Sequence, residues 1–267
     1  MSAPAKTKEK SSRLPVARIL FALMGAVTVA IACLYVFYHA EQFIIRNPQF
    51  VVAGEGRART FEIAGIVHSS RAELETVFAP DLGRSVYLVP LVERQKTLET
   101  VEWVRQATIS RQWPNRLMVR VRERVPVAFV TLERSRPGLI DEDGAILPSV
   151  SGRFRFPVLA GIRSRDSLEI RREQVHNMQR VLNELGPEAA EKVSEVDATD
   201  RDNMKVTLTW EEHIFTLFLG DSNFAARYRK FVEGYGLIQA DPVAKKKLPP
   251  VAVLDLRGDR KISVVPQ

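Results

Sequence analysis

Ile19 to Tyr38 is an unbroken run of 20 residues without a charged side chain. At about 1.5 Å of rise per residue, a helix of that length covers roughly 30 Å, the hydrocarbon thickness of a bilayer. A chain with such a segment near its start reads as a membrane-held protein. Residues 1–18 carry Lys6, Lys8, Lys10, Arg13 and Arg18 against Glu9 alone, which puts +4 of the chain's net +7 in that short tail. An excess of Lys and Arg stays on the cytoplasmic side. The expectation is a cytoplasmic basic tail at 1–18, a transmembrane helix at 19–40 and an exported remainder. A cleaved secretory signal has a shorter apolar core and small residues at the cut, whereas this run ends on Leu34, Tyr35, Val36, Phe37 and Tyr38. Lipoprotein-type cleavage before Cys33 would leave a greasy N-terminus and lacks the usual Leu three residues earlier. An uncleaved anchor is expected, with Tyr35, Phe37, Tyr38 and Phe43 as interfacial aromatics on the outer side.

Charged residues at 27% and hydrophobic ones at 45% predict that the exported part buries a core, in one large or two small domains. Cys33 is the only cysteine and lies inside the anchor, so the exported part forms no internal disulfide, and thiol catalysis and cysteine-based metal sites are excluded there. The net positive charge invites a nucleic-acid reading. Most of it, however, belongs to the tail, which is expected to be disordered and to lie on anionic lipid. Elsewhere Arg alternates with acids, as on a solvated surface.

Residues 41–58 read as a juxtamembrane connector with Pro48, Gly54 and Gly56. Phe61–Ile66 alternates as a strand does. Ser69 or Ser70 then reads as an N-cap, with Glu73 completing a capping box before a helix that presents Leu74, Val77 and Phe78. A second helix is expected from Pro90 to about Thr100. Val104–Gln112 and Arg116–Arg124 read as two strands joined at Trp113-Pro114-Asn115, with Leu117, Val119 and Val121 on the buried face. The order strand, helix, helix, strand, strand predicts a small sheet covered on one face by two helices.

Beyond Pro126 the pattern becomes strand-rich. Val127–Thr131 and a hairpin from Leu139 to Leu147, closed at Asp143-Gly144, come first. A short extended piece at 156–159 follows, then an amphipathic helix at 171–185 with Val175, Met178, Leu182 and Leu185 in line, stopped by Gly186-Pro187. Lys205–Trp210 and Ile214–Leu219 are strands around a Glu211-Glu212-His213 turn. Asp221 or Ser222 is expected to cap a helix striped with Phe224, Tyr228, Phe231, Tyr235 and Ile238. After an exposed Lys245–Pro250 loop, Val251–Arg257 and Lys261–Val265 close the chain as strands.

Few of these residues point to chemistry. Asp141, Glu142 and Asp143 at a tight turn are expected to supply turn hydrogen bonds rather than a cation site. His68, His176 and His213 fall on different elements without second ligands at metal spacing. Ser69-Ser70 has no assignable His–Asp pair, and no Gly-rich phosphate loop is present. Trp113-Pro114 reads either as a recognition tip or as an aromatic packed at a bend. No catalytic, cofactor or metal site is expected.

The block from Trp103 to Leu117, with Arg111, Trp113-Pro114 and then Val119, Val121, Glu123-Arg124 and Pro126-Val127-Ala128, closely resembles the signature of the FtsQ/DivIB family of bacterial cell-division proteins. Leu139-Ile140-Asp141 with Gly144, Pro157-Val158-Leu159 with Gly161, and Val253-Leu254-Asp255-Leu256-Arg257 resemble later landmarks of that family. The resemblance covers roughly residues 15–265. Two positions depart from the pattern: Glu102 replaces the usual Pro before Trp103, and residues 258–261 lack the aromatic often seen after the closing Arg. The resemblance implies an α+β chain: one transmembrane helix, a POTRA domain (β-α-α-β-β) at 59–126 and a C-terminal β domain with two or more helices at 127–267. It also implies a non-enzymatic scaffold of the inner membrane at the division septum. Its expected partners are the bitopic coiled-coil proteins FtsB and FtsL, and its role is in assembling septal peptidoglycan synthesis.

A strand that ends a domain leaves one row of backbone N–H and C=O groups free, and a partner chain can add a strand there. The candidate partner-binding residues are therefore Val251, Val253, Asp255, Arg257, Asp259, Arg260, Lys261, Ile262 and Val264. Arg257, Arg260 and Lys261 would face acids of the partner, while Leu254 and Leu256 are assigned to the core. The sheet edge near Phe61–Ile66 is a second candidate surface. Two other function classes compete: a POTRA-containing envelope protein-assembly factor and a membrane-anchored cell-wall enzyme. The first would normally need a following barrel of many strands, which two amphipathic helices interrupt here.

Overall fold

The computed structural model describes residues 16–52, 60–133, 136–150, 154–241, 243, 248–258 and 263–264. The backbone gathers into two compact units. One comprises Met1–Ala64, Arg71–Thr97 and Thr108–Arg120, and the other Gly65–Ser70, Leu98–Ala107 and Val121–Gln267.

The chain enters through one apolar helix, α1 (Val16–Arg46), long and apolar enough from Arg18 to Arg46 to cross a membrane. It continues through residues 41–46, into the stretch expected to be connector. Nothing in that stretch breaks a helix until Pro48, whose ring disfavours helical geometry at the preceding residue. Asn47 is accordingly extended (φ −77°, ψ 126°), and its Oδ1 accepts the Gln49 N–H at 2.9 Å to cap the single turn Pro48–Phe50.

The expected strand–helix–helix–strand–strand order is present: β1 (Phe61–Ala64), α2 (Arg71–Thr76), α3 (Leu91–Leu98), β2 (Val104–Gln112) and β3 (Arg116–Glu123). The sheet runs β1-β3-β2, with β1 parallel to β3 from Phe61↔Leu117 to Ala64↔Arg120. A parallel pair needs a long crossover, which the two helices supply. Leu117, Val119 and Val121 are buried as their alternation predicts, together with Phe61, Ile63, Leu74 and Phe78. The β2–β3 turn contains a cis Trp113–Pro114 bond.

The start of α2 is held differently from the capping box expected there. No hydrogen bond joins Ser70 to Glu73. Instead the Glu123 carboxylate accepts the backbone N–H groups of Val67 (3.0 Å), His68 (2.9 Å) and Ser69 (2.7 Å) from 54 or more residues along the chain. Burial pushes the Glu123 carboxyl up, but the hydrogen bonds from Ser69, His68 and Val67 outweigh it and hold it below the usual glutamate range. Glu123→Ala should cost about 1 kcal/mol, the low end of the range for an orphaned donor, because only the Ser69 N–H is part-buried while those of Val67 and His68 are open to water. Because the folded value is depressed, this contribution is present above the unfolded carboxyl's range and fades as pH falls through the folded value. Urea unfolding across pH 3–7 checks both: the variant should be weaker at pH 7 and converge on the wild type in acid. Just before this turn, Gly65 adopts φ +86°, and a Cβ there would run into the Val121 carbonyl oxygen. Only glycine fits that approach.

The second unit is built on a nine-stranded mixed sheet. Its strands are β4 (Pro126–Leu132), β5 (Arg136–Asp141), β6 (Ile146–Pro148), β7 (Val158–Ala160), β8 (Val193–Asp197), β9 (Met204–Trp210), β10 (His213–Gly220), β11 (Val251–Asp255) and β12 (Ser263–Val264), in the order β12-β11-β10-β9-β8-β7-β4-β5-β6. The helices α4 (Leu168–Leu185) and α6 (Phe224–Ala240) contribute Val175, Met178, Val181, Phe224 and Phe231 to one core with Ala128, Val130, Leu159, Val206 and Leu217. The short α5 (Pro187–Ala190) follows α4. On β4, β5 and β6, Phe129, Leu139 and Leu147 belong to a second cluster with Trp103, Phe154 and Phe156.

Three local expectations are corrected. Helix α4 begins three residues early, because the Ser167 side chain accepts the Ile170 N–H and caps it. Helix α6 starts after Asn223 in the left-handed conformation (φ 56°), not after a side-chain cap at Asp221 or Ser222; Glu184 of α4 accepts the Phe224 N–H instead. Strand β8, in the interior of the sheet, was not expected at all.

The acidic turn is tied up internally. Asp141 is buried, pairs with Arg124 at 2.7 Å and accepts the N–H groups of Asp143 and Ala145. Arg105 pairs with Glu142 at 2.5 Å and Asp143 at 3.1 Å. Among the described residues, no group of three or more His, Cys, Asp or Glu is placed to hold a metal ion.

Candidate partner-binding site

The C-terminal end of the large sheet is set by the β9–β10 hairpin and by what lies beyond it. His213↔Trp210 opens the hairpin, with Glu211 at φ 53° in the turn. Strand β11 lies parallel to β10, from Ile214↔Val251 to Phe218↔Asp255, and Leu256 N–H extends the ladder to the Phe218 carbonyl at 3.1 Å. Alternation in β11 divides its side chains. Ala252, Leu254 and Leu256 are buried, as assigned from sequence. Val251 is exposed, and Val253 and Asp255 are half-buried.

Beneath β11, α6 supplies an aromatic cluster. Phe231 stands edge-on to Trp210 (5.6 Å) and Phe215 (5.0 Å), and Tyr235 stands edge-on to Phe215 at 5.7 Å. The Tyr235 hydroxyl donates to Glu211 Oε2 at 2.6 Å; burial, then this carboxylate, pushes the phenol up. An apolar cavity of about 190 Å³ remains between α6 and the β10–β11 end, lined by Phe215, Phe231, Ile238, Leu248, Ala252 and Leu254 among others.

Two features define this edge further. Strand β11 is not the rim. Strand β12 pairs with it antiparallel through Leu254↔Val264 and Asp255↔Ser263, so β12 is the outermost strand. Arg257, expected to face a partner's acids, is engaged within the chain: it donates to Asp255 from Nη2 (2.6 Å) and Nε (3.0 Å), and to Asn203 Oδ1 at 3.2 Å. Its hydrogen bond holds the Asp255 carboxyl below the usual range. A charge reversal at Arg257 would therefore set two acids face to face before affecting any partner. Asp259, Arg260, Lys261 and Ile262 lie outside the described residues, and Val264 is placed by its backbone on β12. At the other candidate surface, β1 is an edge of its three-stranded sheet.

Comparison with known proteins shows which family the chain is similar to. The family model for the FtsQ-type POTRA domain matches residues 56–124, and that for the C-terminal region of cell division protein FtsQ/DivIB matches residues 128–257. The chain belongs to the FtsQ/DivIB family. Cell division protein FtsQ of Koribacter versatilis is 32% identical over 238 residues, covering 86% of this chain and 65% of that relative, a little under two thirds of its length. FtsQ of Nitrosospira multiformis is 27% identical over 226 residues, 84% of this chain and 86% of its own. FtsQ of Allochromatium vinosum is 34% identical over 106 residues, 39% and 41% of the two chains. With its apolar N-terminal helix, this FtsQ-family chain has the organisation of a single-pass membrane protein.

What reading the sequence missed was the order of the last two strands. Both Val251–Asp255 and Ser263–Val264 were visible as strand-like.

Proposed function

We propose that this chain is a non-catalytic scaffold of the bacterial division machinery. Its N-terminal tail is cytoplasmic, its folded units lie on the outer side of the inner membrane, and it acts at the septum. It binds FtsB- and FtsL-like bitopic coiled-coil proteins and helps assemble septal peptidoglycan synthesis. The capture mode is β-strand addition at the free side of β12. The observation that carries this reading is the sheet order: among the described residues β12 is outermost, so a partner strand would extend a sheet that is otherwise paired inward through β11 and β10. An edge strand leaves backbone N–H and C=O groups free for pairing, and a partner's main-chain hydrogen bonds supply affinity once it is aligned.

The test is co-purification of the full-length chain from membranes with tagged FtsB and FtsL. Both should come with the wild type. Val264→Pro should weaken capture at least about 100-fold, because proline removes an N–H and breaks the short rim, while amide exchange of β10 stays protected. Capture undiminished by Val264→Pro would remove strand addition; no capture by the wild type would remove these partners. A fluorescent fusion that stains the envelope evenly, without a mid-cell band, would favour the assembly-factor reading.

A further inference from the structure

The first unit carries exposed aromatic surface that neither its own core nor the proposed rim uses. Trp113, at the β2–β3 turn, is 54% exposed, and Phe43 on α1 is 59% exposed. They are joined through Phe50, whose ring lies 6.1 Å from Phe43 and 5.6 Å from Trp113, edge-on to both. The turn Pro48–Phe50 thus folds the chain back to the level of Phe43, and the hairpin tip stacks on it. The neighbouring turn Val86–Leu88 is tied to the same helix end, where Ser85 Oγ donates to the Ile44 carbonyl at 3.0 Å, and it leaves Tyr87 and Leu88 more than a third exposed.

The position of this surface follows from the helix. Phe43 lies five residues past Tyr38, the last of the uncharged run, or about 7.5 Å at helical rise. The headgroup zone is roughly 5–8 Å thick on each side of the hydrocarbon. Phe43 therefore falls within or at the margin of that zone, and Trp113 lies two ring contacts away. Trp and Tyr rings partition to this depth because an apolar body and a polar N–H or O–H are both satisfied there. The exposed Arg116, three residues after Trp113, adds a cation for lipid phosphate.

We infer that the β2–β3 hairpin tip, Trp113 to Arg116, seats in the headgroup region of the membrane that α1 spans, making the first unit a membrane-apposed platform. The partner is the lipid surface itself. The inference rests on α1 spanning the bilayer, and goes beyond the rim proposal, which needs no lipid contact.

The test uses the full-length protein in phosphatidylethanolamine/phosphatidylglycerol vesicles doped with lipid brominated high on the acyl chain. Part of the tryptophan emission should be quenched, and Trp113→Phe should remove most of that part while leaving the thermal melt within a few degrees. In a second arm, Asn115→Cys in a Cys33→Ser background carries an environment-sensitive fluorophore, which should be shielded from aqueous iodide in vesicles. Alkaline extraction of the vesicles checks the anchor. Release of the protein would remove both the anchor and the docking. Retention with lipid quenching unchanged by Trp113→Phe, or with residue 115 fully open to iodide, would overturn the docking alone.

Discussion

Replacing Phe231 with alanine should cost the second unit about 3–5 kcal/mol, the range for removing a buried aromatic ring. Phe231 is 1% exposed and touches the rings of Trp210, Phe215, Tyr228 and Tyr235. It also borders the existing cavity of about 190 Å³, so the lost ring enlarges a void instead of leaving an isolated one. Ala252 and Leu254 of β11 line the same space, so slackening there reaches the strand on which β12 is built. Hydrogen exchange reads the effect directly: at 1.4 kcal/mol per tenfold, β10 and β11 amides should lose roughly 100- to 1,000-fold or more of their protection. Capture of FtsB should weaken in parallel if the rim is the binding edge. Protection within tenfold of wild type would mean that the cluster collapses around the deletion and does not hold the edge.

Arg94→Met should destabilise the first unit by about 3 kcal/mol. Asp81 is fully buried in the turn Ala79–Asp81, and Arg94 of α3 grips its carboxylate from Nε at 2.6 Å and Nη2 at 3.3 Å. The Asp81 hydrogen bond raises the Arg94 pKa further above its already high ordinary value. Removing one member of a buried pair strands the other charge, which typically costs 3–5 kcal/mol. The lower end applies because Arg84, at 3.7 Å, remains beside Asp81. Combining Asp81→Asn with Arg94→Met should recover most of the loss, since no buried charge is then unpaired. Unfolding of the single and double variants in urea checks this; a double variant as weak as the single one would point to packing by the arginine stem instead.

The legible parts of the fold were those with a clean hydrophobic period. Leu117, Val119 and Val121 alternate on β3, and the Phe224–Tyr235 stripe repeats at helical spacing; both were found at nearly the observed bounds. Strand β8 was missed because its two buried residues, Val193 and Val196, are three apart. A register shift between Val193 and Glu195 explains the spacing: an irregularity there resets which side chains face the core, so alternation is lost. The start of α4 was missed because Ser167 caps it without the glutamate three residues on that a capping box supplies. The candidate site was half legible. The split of β11 into buried Ala252, Leu254, Leu256 and outward Val251, Val253 followed from period two, but the Arg257–Asp255 pairing depends on a local turn that favours its own carboxylate over an outside acid.

By itself the sequence determined the presence of a long apolar helix near the start, the order of elements in the small sheet and the family, because each is written in residues close together along the chain: an uncharged run, an alternation, a Trp-Pro-Asn turn. Tertiary structure alone decided which strand is outermost, which acid holds the turn before α2 and which arginine neutralises Asp81. The last two pairings join groups from 13 to more than 50 residues apart. Only folding brings such groups within hydrogen-bond range, and burial then makes their partners obligatory.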